Sequence, residues 1–350
     1  MPNAEAEKPT LLKLALISER AQREPNCQFT SLAHLLNERF LMHCYHRLGR
    51  DRASGMDGVT WQEYGEHLEE NLRDLVARLK AKRYKPLPAR RVYIPKDEHS
   101  TRPLGLPALE DKIVQKGIAL ILESIYEADF LDCSYGFRPG RNCHQAVDAV
   151  DKTIMRNPIN HVIDADIKGF FDNVSHAWME KFLRVRIVDP SFLLLIRRFL
   201  KAGYVDSGLL VATEQGTPQG GNLSPILSNI FLHYVLDLWL EKRIKRQVRG
   251  ACFLVRYADD FVCMIRYQDD ARHIERALRE RFTQFDLELH PEKTRVISFG
   301  RYERDNAQRQ DRRAHTFDFL GFTHFCGRSR KGNFIVGRRT SRKKFRKKCK

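Results

Sequence analysis

Three carboxylates stand out by type and setting. Asp166 lies within the alternating run His161-Val162-Ile163-Asp164-Ala165-Asp166-Ile167, and Asp259 and Asp260 lie between two β-rich runs, 251–257 and 261–265, about 90 residues further on. A period of two places Asp164 and Asp166 on one face of a strand. The second pair reads as the tip of a hairpin. Acids gathered on neighbouring strands repel one another unless cations hold them. Hard divalent ions take oxygen ligands, and two Mg²⁺ roughly 3.5 to 4 Å apart serve in-line displacement at phosphorus, one activating the attacking hydroxyl and the other steadying the leaving pyrophosphate. Spacing alone leaves the commoner alternative open, a solvated Asp-Asp turn.

The elements that must position these acids can be read around them. Residues 1–50 read as helical, with Leu12, Leu16 and Ile17 followed by Leu32, Leu35, Leu36 and Phe40, an extension packed on a larger body. The turn-forming stretch Ala53 to Val59 interrupts that pattern, and Leu68, Leu72, Leu75 and Leu79 resume it. Arg90 to Lys96 and Arg102 to Pro107 suit a basic β-hairpin. A long helix is expected from about Ala108 to Tyr126, with Leu109, Ile113, Leu120 and Ile121 roughly on one face.

Composition narrows the class. The chain has 350 residues, 42% of them hydrophobic, with 61 Lys+Arg against 44 Asp+Glu and a formal charge of +17. That length allows two or three lobes with cores of their own. No apolar run approaches the 18 or so residues of a membrane span, and Met1 to Thr10 lacks the basic-then-apolar order of a signal peptide. A soluble, cytoplasmic, nucleic-acid-associated protein is expected. Eight cysteines occur without a Cys-x-x-Cys pair, and the thirteen histidines form no group at ligand spacing, so neither a disulfide framework nor a zinc site is predicted. Residues 301–350 hold 17 Lys+Arg against 4 Asp+Glu and so carry +13 of the +17. A field that concentrated attracts a polyanion, and nucleic acid is the expected partner, a solvated basic tail being the alternative.

Taken together, Tyr257-Ala258-Asp259-Asp260, Asp166-Ile167-Lys168-Gly169-Phe170-Phe171-Asp172 and Gln215-Gly216-Thr217-Pro218-Gln219-Gly220-Gly221-Asn222-Leu223-Ser224-Pro225 resemble the reverse transcriptases of bacterial group II introns and their relatives. Four further blocks match in order: Arg102 to Pro107, Tyr135 to Gly140, His290 to Thr294 and Phe319 to Phe322. The resemblance covers about residues 50–325. It implies an α+β right-hand polymerase fold, with an antiparallel palm sheet flanked by helices, plus fingers. The corresponding division is an N-terminal helical extension (1–50), fingers with an N-terminal loop and the basic hairpin (51–160), the palm (161–325), and a basic tail (326–350), with the thumb expected to be absent or only begun. Family members continue into a helical thumb or maturase region, so the resemblance leads us to expect that a longer chain or a partner supplies the rest.

The resemblance also assigns roles. Asp166 and Asp259 are implied metal ligands, the Ile167 carbonyl completes the shell, and Asp260 is the supporting acid. The ions would be two Mg²⁺, with Mn²⁺ as a substitute. Lys96 and Arg102 are implied on the triphosphate, where an Arg can fork onto phosphate oxygens and a Lys acts as a point charge. Phe171, with Phe170 as the alternative, is the implied aromatic that closes the sugar pocket against a 2′-hydroxyl. Gln219 is expected against the incoming nucleotide. Arg138 and Lys293 are implied template and primer contacts, with a Pro-Gly turn and a solvated lysine as their bland alternatives. Asp164 has no implied role. The expected partners are an RNA template, a DNA or RNA primer, deoxynucleoside triphosphates and intron RNA, with no membrane. Two readings of different class follow, an RNA-directed DNA polymerase and an RNA-holding module with little or no polymerisation. A nucleotide cyclase is a weaker third that the Lys96/Arg102 hairpin and the Pro-Gln-Gly block argue against.

Overall fold

The computed structural model describes residues 4–95, 101–217 and 220–348. Two compact units emerge, each assembled from two stretches of chain: Met1–Phe130 with Phe171–Phe231, and Leu131–Phe170 with Leu232–Lys350. They cut across the linear division expected from sequence. The reason lies in the helix Cys143–Arg156, whose Ala146, Val147, Val150 and Ile154 pack with Val162, Val255, Val262 and Met264 of the acid-bearing strands.

In the first unit the helix Leu109–Tyr126 is the centre of the core. Its Ile113, Val114, Ile118, Ile121, Leu122 and Ile125 are all buried, so it is covered on more than the one face its spacing suggested. Gly117 allows this: a Cβ there would lie 2.8 Å from Leu36. Burial in the N-terminal extension falls on Leu32, Leu35, Leu36 and Phe40, whereas Leu12 and Leu16 stay exposed. A four-stranded sheet completes the unit. Ala89–Pro95 pairs antiparallel with Thr101–Leu106, Ile94 opposite Arg102, and parallel with Tyr204–Asp206, which turns back into Leu209–Val211. The two-residue turn Ser207-Gly208 has both residues at positive φ (50° and 84°), the geometry that matches strand twist in tight hairpins.

The second unit is built on an antiparallel sheet in the order Cys252–Tyr257, Asp260–Ile265, His161–Ala165, Arg295–Ser298. Alternate residues serve two layers. Val162, Val262, Met264 and Ile297 join the core under the helix Cys143–Arg156, while Phe261 stacks on Phe282 of the helix Gln268–Gln284. A three-stranded sheet, Thr316–Phe319, Phe322–Arg328 and Phe334–Thr340, extends the same core through Phe317 and Phe319. The stretch expected as a basic tail from 326 is therefore strand as far as Thr340. Arg338 of that strand donates to Asp148 and Asp151, and Asp151 also bonds the buried His324 ring at 2.9 Å. The helix Arg342–Lys348 follows. No helix among the described residues is long and apolar enough to cross a membrane.

Candidate active site

Strand register brings the acids to one end of the second unit's main sheet. Ala165 pairs with Phe261 and Tyr257 pairs with Asp260, so Asp166, one residue beyond Ala165, runs beside the turn that carries Asp259. Neighbouring strands lie about 4.8 Å apart. The tip of the hairpin is Ala258-Asp259 and not the two acids, because Asp260 already opens the second strand. Ala258 sits at φ 58°, a left-handed conformation that costs an L-residue roughly 1–2 kcal/mol. Asp259 is half-buried and Asp260 exposed.

Asp166 is fixed from the other side by the segment Glu288 to His290. The His290 amide donates to the Asp166 carbonyl at 2.7 Å and the Lys168 amide to the Glu288 carbonyl at 2.8 Å, flanking a bridge between Ile167 and Leu289. Those bonds come from the residues on either side of Ile167, so the Ile167 carbonyl takes no part in them. The Lys293 ammonium lies 2.7 Å from the Asp166 carboxylate, a positive charge where the acids call for one. Asp164 is paired instead with Arg295 at 3.4 Å, and burial pushes its carboxyl up to about 6.

The described residues hold no group of three or more His, Cys, Asp or Glu side chains arranged for an ion. An ion here would draw on two carboxylates, a main-chain carbonyl and oxygens of a substrate. That is how Mg²⁺ is ordinarily bound at phosphate-transfer sites, by one or two carboxylates plus phosphate oxygens. The donor set therefore fits Mg²⁺.

In the first unit a cleft of about 370 Å³ is lined by Arg91, Pro103, Gly105, Phe171, Tyr204 and the loop Ala212 to Thr217, among others. It unites three blocks that are far apart in sequence: the basic hairpin, the Phe-Phe block and the Gln-Gly-Thr loop. The Thr217 amide donates to the Phe171 carbonyl at 2.6 Å, the Gly216 amide to the Val174 carbonyl at 2.8 Å, and a His176 ring nitrogen lies 2.7 Å from the Gly216 carbonyl. Gly216 has φ 88°, and a Cβ there would fall 2.8 and 2.9 Å from the carbonyl oxygens of Asp172 and Phe171. Gly220, at φ 106°, passes the Gly105 carbonyl where a Cβ would come within 2.4 Å. Of the two candidate gate residues, Phe170 is buried in the interior and Phe171 faces the cleft.

Residues 94–324 match the family described as reverse transcriptase (RNA-dependent DNA polymerase). The chain belongs to this family. Its group II intron type is shown by the relatives. The group II intron-encoded protein LtrA of Lactococcus lactis subsp. cremoris is 38% identical over 242 residues, 68% of this chain and 40% of that protein. Protein YkfC of Escherichia coli (strain K12) is 38% identical over 240 residues, 61% of this chain and 63% of that protein. The putative COX1/OXI3 intron 1 protein of Saccharomyces cerevisiae is 28% identical over 346 residues, covering 84% and 41%. The chain thus spans about two fifths to three fifths of the length of these relatives.

Other residues expected at a reverse transcriptase site fall as follows. Arg102 is exposed on the strand Thr101–Leu106. Lys96 and Gln219 lie outside the described residues. Arg138 is buried and donates to the carbonyls of Leu131 and Ser134, each at 2.8 Å, bonds that support its own loop. Lys293, expected on the primer strand, sits on Asp166. Sequence reading missed Arg91, whose guanidinium stacks 3.4 Å over the Tyr204 ring, and Gln115, whose side-chain oxygen accepts from the Asn222 amide at 2.9 Å. It also missed Arg256 and Asp237. An Arg inside an otherwise apolar strand was the available signal for that last pair.

Proposed function

We propose that this chain is an RNA-directed DNA polymerase that adds deoxynucleotides to a primer 3′-hydroxyl on an RNA template, with Asp166 and Asp259 as ligands of two Mg²⁺. The observation that carries this reading is the register that sets Asp166 beside the Ala258-Asp259 turn in a member of the reverse transcriptase family. When bound, Mg²⁺ supplies an activated primer hydroxyl and neutralises the charge that develops on pyrophosphate. Asp166 and Asp259, at one end of the sheet, would hold the ions, and the Ile167 carbonyl would add a neutral oxygen. Asp260, exposed next to them, keeps the local field negative and so favours cations. Lys293 holds the Asp166 charge until a cation or a primer phosphate competes for either partner.

In the first unit we assign Arg102, with Lys96, to the triphosphate, Phe171 to the sugar face and Gln219 to the incoming nucleotide. Phe171 is supported by its place on the cleft wall, and a bulky ring there excludes a 2′-hydroxyl. RNA template, primer and intron RNA are the proposed nucleic-acid partners, held through the basic residues beyond 300. The test is extension of a DNA primer annealed to RNA by the purified chain with Mg²⁺ and deoxynucleotides. Extension that stops on chelation and returns with Mg²⁺ or Mn²⁺ is expected. RNA binding without extension under every metal condition would instead favour an RNA-holding module.

A further inference from the structure

The Asp259 turn is not held by its own backbone alone. Ala258 is left-handed, and Ala258-Asp259 is the whole tip. Arg256 lies beneath it, fully buried. Its Nε and Nη2 donate to the two carboxylate oxygens of Asp237 at 2.8 and 2.6 Å, and its Nη1 donates to the Ala258 carbonyl at 2.9 Å. That carbonyl belongs to the same planar peptide as the Asp259 N–H. The third bond therefore sets the orientation of the peptide from which Asp259 projects.

The support is itself supported. The Arg256 amide donates to the Cys133 carbonyl and the Arg256 carbonyl accepts from the Tyr135 amide, both at 2.8 Å. Gly136 comes so close to the turn that a Cβ would lie 2.3 Å from the Ala258 nitrogen. Asp237 closes a five-residue π-helical turn, His233–Asp237. Such turns are rare and are frequently found at functional sites.

We propose that Arg256, held by Asp237, is a positioning residue for the Asp259 turn and sets its metal affinity and rate of nucleotide addition without touching substrate. A guanidinium suits this task because its planar fork makes three bonds in fixed directions, which an ammonium on a flexible stem does not reproduce. Stability alone does not call for the pair, since apolar replacement of a buried ion pair is often neutral or stabilising. The inference rests on reading Asp259 as a metal ligand.

The test uses the full chain with Arg256→Lys, the double variant Arg256→Leu/Asp237→Leu, and Asp259→Asn as reference. Mn²⁺ binding by electron paramagnetic resonance, the Mg²⁺ midpoint, kcat, deoxynucleotide KM, RNA affinity and thermal unfolding are measured. Both Arg256 variants are expected to fold and to bind RNA as the wild type does. Their Mn²⁺ Kd and Mg²⁺ midpoint should rise about tenfold, the coupling seen within one hydrogen-bond network. Their kcat should fall about 10²-fold at unchanged KM, the cost of a small misplacement at a reacting centre. Wild-type Mn²⁺ affinity and kcat in either folded variant, beside an Asp259→Asn that has lost Mn²⁺, would overturn this inference alone. Unchanged Mn²⁺ binding in Asp259→Asn would overturn the ligand assignment and the inference with it. Should the double variant not fold, Arg256→Lys decides on the same readouts, and failure of both to fold would mark the pair as purely structural and overturn the proposal.

Discussion

Phe171 faces a cleft that it shares with Arg91, Pro103 and Tyr204 and with the small residues Gly105, Gly203, Ala212 and Gly216, and on the proposed reading its ring limits the room for a sugar. Phe171→Ala is expected to lower the preference for deoxynucleotides over ribonucleotides by about tenfold or more, the range for adding or removing bulk in a pocket. The ratio of the two kcat/KM values measures this, and an unchanged ratio would move the gate elsewhere. The residues that could be named from sequence share a trait. Asp166, Asp259 and Asp260 are charged groups in strand contexts that should be apolar, so their type alone raises a question. Arg256 and Asp237 stayed hidden because neither completes a spacing pattern and their meeting depends on tertiary pairing. Arg138 shows the converse, since a basic residue in a recognised block turns out to bond its own loop.

At the scale of elements, hairpins and strands were legible because period-two alternation is local. The basic hairpin appears with the expected partners, and the strand His161–Ala165 stops one residue short of the acid it was thought to carry. Turn geometry was harder: the left-handed Ala258 makes a two-residue tip and displaces Asp260 into the strand. Burial of the helix Leu109–Tyr126 was under-read, because its outer faces are covered by helices distant in sequence. The loop Gln215 to Thr217 is the element whose disturbance should be most informative. Gly216→Ala forces a side chain into the Asp172 and Phe171 carbonyls at positive φ, which should cost about 1–3 kcal/mol of stability. It should also raise the deoxynucleotide KM through Phe171, at unchanged RNA affinity. Thermal unfolding together with steady-state kinetics checks both, and an unaltered KM would separate this loop from the nucleotide.

At the scale of the whole molecule, the charge is concentrated beyond residue 300 and partly built into the second unit, where Arg338 is engaged with Asp148 and Asp151 while Arg342 and Arg346 are exposed. RNA affinity should fall linearly on a log–log plot against salt, and deleting residues 342–350, which carry seven Lys and Arg, should flatten that slope. A slope that is equal with and without the segment would place the docking surface elsewhere. The fold class and family were legible because several ordered blocks are local text, whereas the two compact units were not, since each joins separated stretches of chain. The central claim is that the end of the second unit's sheet is where nucleotides are added. It is tested most directly by single-deoxynucleotide addition to a primer on RNA, comparing wild type with Asp259→Asn at matched RNA occupancy. Addition should vanish in the variant while RNA affinity is unchanged or slightly raised, because a negative charge beside phosphates has been removed. Wild-type addition by Asp259→Asn would contradict the account.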